Sequence, residues 1–161
     1  QVKIADFGMS AHRRNMDSVM PQFETFAGTY TYMSLERIRG GVHSFDSDIW
    51  SFGLTIMECA IGEFPFTLNE RTIWEMMRHL EANVDQVVSD RLKKFSPEFN
   101  QFIKACMRLE PSERPTAKQL LEYEFIKKYA GTKPSLKTWI LKGYVTKKQN
   151  EARSKRQARN H

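Results

Sequence analysis

Residues 47–61 carry apolar side chains on nearly every face of a helix: Ile49, Trp50, Phe52, Leu54, Ile56, Met57, Cys59, Ala60 and Ile61 leave no continuous polar stripe. A helix that is apolar all round has no face to give to water, so the chain is expected to bury it on every side under other elements. The stretch is no membrane span, because Asp48, Glu58 and Glu63 interrupt it and a span needs about 20 mostly apolar residues. At 161 residues the chain has the length of one domain with room for such a core.

The neighbouring segments predict amphipathic helices with their own start signals. Thr67 lies three residues before Glu70, a capping box, and Ile73, Met76, Met77 and Leu80 then recur at helical spacing. Ser96-Pro97-Glu98 offers an N-cap, a proline at the first helical position and an early acid, followed by Phe99, Phe102, Ile103, Cys106 and Met107 on one stripe. Thr116 and Gln119 form a second box before Leu120, Leu121 and Phe125, just after Pro111 and Pro115 break the chain. Residues 9–33 show no period, and a loop of that length inside a compact domain is expected to work for its place.

Charge divides the chain in two. Residues 132–161 hold nine Lys and Arg against one acid, Glu151, while the other 131 residues carry 16 basic and 18 acidic groups. The tail 147–161 lacks interleaved aromatic residues that would stack on bases, so nucleic-acid binding is not expected and a solvated, disordered end is. Nuclear import is a second reading of the same cations. Cys59 and Cys106 both fall in helical segments and are expected to be reduced thiols, which favours the cytoplasm with the nucleus also allowed. His12, His43, His79 and His161 have no metal-ligand spacing with one another or with the cysteines.

Four motifs stand in order along the body: Asp6-Phe7-Gly8, "GTYTYMSLERI" at 28–38, "SDIWSFGLTIMECAIGEFPF" at 47–66 and "LEPSERPTAKQLLEYEFI" at 109–126. Alone the first is a weak signal, and its bland reading is a strand-end turn. Together the set resembles the second half of a eukaryotic protein kinase domain over about residues 1–128, and within that superfamily it looks most like the mitogen-activated protein kinase kinases. The resemblance implies a mainly α fold, the C-lobe portion of the protein kinase-like fold, with a short strand at the N-terminus on Val2 and Ile4. It divides the chain into an activation segment at 6–36, a helical C-lobe at 37–128 and a basic extension at 129–161.

The family's site residues carry over position by position. Asp6 matches the metal-binding aspartate, a hard carboxylate suited to Mg²⁺ held with ATP; Phe7 would pack and aim it, and Gly8 would supply the backbone freedom. Thr29 matches the residue that supports the catalytic aspartate, and Tyr32 and Met33 would line the pocket beside the acceptor. Glu36 and Arg114 match a structural ion pair of the C-lobe, a solvated Glu and a solvated Arg being the plainer alternative. Asp48 matches the aspartate at the start of the central helix, where a plain cap is the simpler role. Leu35 departs from the pattern, since the family usually has proline there. Thr25 is the first candidate for phosphorylation by an upstream kinase and Ser18 the second, with Arg13, Arg14 and Arg37 as nearby cations.

The family's Gly-rich loop, its Lys–Glu pair and its His-Arg-Asp catalytic loop with Asn have no match in residues 1–161. The expectation is therefore a partial kinase, its parent an ATP-dependent protein phosphotransferase acting on a MAP kinase and activated by an upstream kinase, with no catalytic aspartate of its own and no turnover alone. A naturally short, non-catalytic docking module is the alternative from another class. Genomic sequence upstream of the Gln1 codon discriminates them: an open frame encoding His-Arg-Asp favours the first.

Overall fold

A computed structural model describes residues 3–5, 31–41, 44–66, 73–132, 135 and 137–138. Two compact units are present, residues 1–127 and 128–161. The described elements are all helical: α1 (Leu35–Ile38), α2 (Phe45–Ile61), α3 (Ile73–Arg91), α4 (Pro97–Cys106), a single 3-10 turn at Pro111–Glu113, α5 (Ala117–Leu120) and α6 (Glu124–Tyr129).

Helix α2 is the axis of the first unit. Ile49, Trp50, Leu54 and Met57 on it are buried together with Leu35 and Ile38 of α1, Met77, Leu80, Val84 and Val88 of α3, and Phe99, Phe102, Ile103 and Cys106 of α4. Gly53 lets α2 and α4 approach, and Phe52 meets Phe102 edge-on at 6.2 Å between ring centres. The helix stops at Gly62, whose φ of +88° is the left-handed cap that spares a side chain its steric cost, with the Gly62 N–H donating to the Glu58 carbonyl at 2.7 Å.

The caps read from the sequence at α4 and α5 are present. Ser96 Oγ accepts from the Phe99 N–H at 3.3 Å, with Pro97 at the first helical position. Thr116 and Gln119 bond reciprocally, the Gln119 N–H to Thr116 Oγ1 at 3.2 Å and the Thr116 N–H to Gln119 Oε1 at 2.8 Å. Helix α3 buries Met77, Leu80, Val84 and Val88 at intervals of three or four, and Leu92 continues the stripe past its end. The Thr67–Glu70 box and the side chains of Ile73 and Met76 lie outside the described residues. Between α4 and α6 the aromatic rings form a continuous row, Phe95 to Phe99, Phe99 to Phe125, Phe125 to Phe102, with centres 5.0–5.3 Å apart.

Helix α2 is not buried on all sides: Phe45 is 68% exposed and Phe52 44%, and Asp48, Thr55 and Cys59 face solvent along the same stripe. These five positions recur every three or four residues, so they form one face, which stays open to solvent although Phe52 touches Phe102 at its edge. The N-terminal strand is not confirmed. Among the described residues Lys3, Ile4 and Ala5 carry no regular structure, Ile4 is 86% exposed, and no described strand stands beside them to pair with their N–H and C=O groups.

In the second unit the Tyr129 carbonyl accepts from both the N–H and the hydroxyl of Thr132, at 3.0 and 2.7 Å, closing the end of α6. Lys128 Nζ lies 5.9 Å from the centre of the Tyr129 ring.

Candidate functional site

The segment before α1 and its first turn lie along one polar face of α2. Ser47, Ser51 and Glu58 occupy that face at i, i+4 and i+11, and each meets the segment. Ser47 Oγ donates to Glu36 Oε1 at 2.9 Å, Ser51 Oγ donates to the Tyr32 carbonyl at 2.7 Å, and the Tyr32 hydroxyl donates to Glu58 Oε2 at 2.6 Å. Segment and helix run in opposite senses, since the lower-numbered Tyr32 meets the later residues of α2.

Tyr32 is half-buried. Its ring meets Phe64 edge-on at 5.7 Å, and Phe64 meets Phe66 at 6.0 Å, so the loop after α2 closes one side of it. The hydrogen bond to Glu58, with burial and the nearby carboxylate charge, holds the Tyr32 phenol above its ordinary value. Met33 points into the core, as do Leu35 and Ile38, which fix the short α1 by packing.

Glu36 and Arg114, 78 positions apart, form a two-pronged ion pair with Nη1 to Oε1 at 2.7 Å and Nη2 to Oε2 at 3.0 Å. The guanidinium is completely used. Nη1 also donates to the Asp46 carbonyl at 3.0 Å, Nη2 to that of Leu109 at 3.1 Å, and Nε to that of Arg108 at 2.8 Å, which occupies all five N–H groups. Its flat face lies over Trp50, 5.1 Å from the ring centre. Burial alone would push the Glu36 carboxyl up; the hydrogen bonds, that from Arg114 foremost, and the guanidinium charge outweigh it and hold the group at about 2. The arrangement nails α1, the start of α2 and the turn at Pro111–Glu113 together.

Asp48 lies exposed in the first turn of α2, where its charge favours the positive helix end. The N-cap itself is Ser44, whose hydroxyl donates to Asp46 Oδ2 at 3.1 Å. Asp6, Phe7, Gly8, Ser18, Thr25 and Thr29 lie outside the described residues, as do Arg13 and Arg14. Among the described residues no three His, Cys, Asp or Glu converge as a metal site, and no helix is long and apolar enough to cross a membrane.

Sequence reasoning assigned no role to Ser47, Ser51, Glu58 or Phe64. The signal was present in part: Ser47, Ser51 and Glu58 lie among apolar residues of the helix, and buried polar groups need partners. Nothing in the spacing names those partners.

The profile of the protein kinase domain matches residues 1–126. Mitogen-activated protein kinase kinase 3 of Arabidopsis thaliana is 44% identical over 138 residues, which cover 86% of this chain and 25% of that protein. Mitogen-activated protein kinase kinase 1c of Physcomitrium patens is 45% identical over 132 residues, 80% of this chain and 37% of that protein. Mitogen-activated protein kinase kinase 1 of Arabidopsis thaliana is 39% identical over 145 residues, 87% of this chain and 40% of that protein. The chain thus spans between 25% and 40% of the length of these relatives. With the matched region embracing α1 to α5 and the Glu36–Arg114 pair, this chain belongs to the protein kinase domain family.

Proposed function

We propose that the chain forms the acceptor-side, helical part of an ATP-dependent protein kinase that phosphorylates Ser or Thr, with Tyr as a further candidate acceptor, on a MAP kinase within a cascade. One observation carries the reading: the segment 32–36 is locked to α2 at both its backbone and its side chains. A segment ordered in that way offers a fixed shelf for an extended peptide, and positioning supplies much of the rate in phosphoryl transfer. The similarity to proteins named mitogen-activated protein kinase kinases supports the choice of acceptor.

Magnesium held with ATP neutralises charge on the transferring phosphoryl group. Asp6 would be its ligand in this chain. One carboxylate fits the ion, which takes one or two together with nucleotide phosphates rather than a cage of protein donors. The chain's own residues do the holding: Glu36 and Arg114 keep α1 against α2, and Tyr32 is turned towards Glu58. Thr25 and Ser18 are the proposed sites at which an upstream kinase adds phosphate.

Phosphate transfer by the 161-residue chain alone is expected to be absent, and transfer by a longer polypeptide that adds an ATP-binding lobe and a His-Arg-Asp loop is expected to be present. Radiolabelled ATP with a catalytically dead MAP kinase as acceptor reads both. Transfer by the short chain would overturn the partial-kinase reading, and none by the longer one would overturn the kinase reading.

A further inference from the structure

We propose that Ser51 is a positioning residue for the protein acceptor, acting through Tyr32; the inference rests on the kinase reading above. Serine and threonine inside helices commonly bond back to the carbonyl four residues earlier. Ser51 and Thr55 both have that contact, Ser51 Oγ to the Ser47 carbonyl at 3.2 Å and Thr55 Oγ1 to the Ser51 carbonyl at 2.8 Å. Ser51 alone of the two reaches outside its helix, and its contact with the Tyr32 carbonyl is the shorter one, 2.7 Å. A hydroxyl has one proton to donate, and the nearer, cross-segment carbonyl takes the larger share of it.

Tyr32 is thereby held at two separated points of one helix. Ser51 holds its carbonyl and Glu58 holds its phenol, and those residues stand seven positions apart, about 10 Å along the axis. With Phe64 edge-on against the ring, the main chain, the ring plane and the hydroxyl are each fixed by a different neighbour. Loss of the Ser51 hydroxyl frees the carbonyl while leaving the core untouched, because the half-buried Ser51 faces the segment rather than the packed side of α2.

The test uses the longest polypeptide containing this chain that transfers phosphate, compared as Ser51→Ala, Ser51→Thr and Thr55→Val. Ser51→Ala is expected to raise KM for the protein acceptor by about 3- to 10-fold, the loss of one hydrogen bond, with KM for ATP unchanged. Ser51→Thr, which restores the hydroxyl, is expected to recover most of it, and Thr55→Val, which removes only a back-bond, to leave both constants as they were. Equal changes in both KM values, or the same effect from Thr55→Val, would overturn the proposal. The Tyr32 carbonyl ¹³C resonance of the 161-residue chain, labelled at tyrosine and assigned with Tyr32→Phe, reads the Ser51 bond without any activity. Ser51→Ala is expected to move that resonance while the phenol, held by Glu58, keeps its raised titration, and an unmoved carbonyl resonance would overturn the clamp. A wild-type protein that shows the clamp but transfers no phosphate would sink the kinase reading and with it the role given to Ser51.

Discussion

Gly53 of α2 sits against Cys106 of α4 so closely that a Cβ built on the glycine would lie 2.4 Å from the Cys106 Cβ. Two opposing effects follow for Gly53→Ala. Helix propensity alone favours alanine by about 1 kcal/mol, but two Cβ atoms cannot share that distance, and overpacking a core costs about 1–3 kcal/mol. The second effect wins because both positions are backbone-anchored and neither side chain can swing away. Gly53→Ala is therefore expected to lower unfolding stability in urea, and Gly53→Ala with Cys106→Gly to recover part of the loss; a gain in stability from the single change would contradict the close approach of α2 and α4.

The Glu36 carboxyl is held at about 2 against its ordinary 4.5, which corresponds to roughly 3 kcal/mol of preference for the charged form in the folded state. A depressed pKa gives stability that is full above about pH 4.5 and fades as pH falls towards 2. Glu36→Gln leaves Arg114, whose side chain is fully buried, without its counter-charge, and is expected to cost about 3–5 kcal/mol at neutral pH. Urea unfolding across this pH range should show wild type and variant converging on the acid side, and a constant gap would count against the ion pair as the cause.

Cys59 is exposed and Cys106 is buried, with the Cys106 thiol pushed up to about 12 by burial. The thiolate is the reacting form, so a disulfide reagent at neutral pH is expected to titrate one thiol quickly and the second only as fast as the protein opens. Cys59→Ser should abolish the fast phase. Two fast phases would mean that α4 does not pack on α2.

Ser96 caps α4 through its bond from the Phe99 N–H. Ser96→Ala is expected to lower stability by about 1 kcal/mol and Ser96→Asp to restore it, since either oxygen satisfies the same orphan donor. Thermal melts of the two variants give the answer, and equal loss in both would assign the effect to something other than the cap.

Much of the architecture is legible in the sequence. Ser96, Pro97, Thr116 and Gln119 announce helix starts through bonds that span three or four residues, so their partners stand beside them in the sequence. The apolar stripes of α3 and α4 follow from period in the same way. The Glu36–Arg114 pair spans 78 positions and was reached through resemblance to a family, not through spacing. The role of Ser51 is not legible there, because its partner is the Tyr32 main-chain carbonyl, and a carbonyl leaves no mark on the sequence.

Helix α2 draws the line most clearly. That it is a helix, that it is apolar and that it lies at the centre of the packing can be read from its residues alone, since those depend on side-chain chemistry and a period of 3.6 residues. Which of its faces are used depends on what packs beside it: Trp50, Leu54 and Met57 turn inward, Ser47, Ser51 and Glu58 lie against the segment that carries Tyr32, and Phe45 and Phe52 turn outward. Burial is a property of neighbours, and apolar residues on every side of a helix record what it can bury, not which sides find something to bury against.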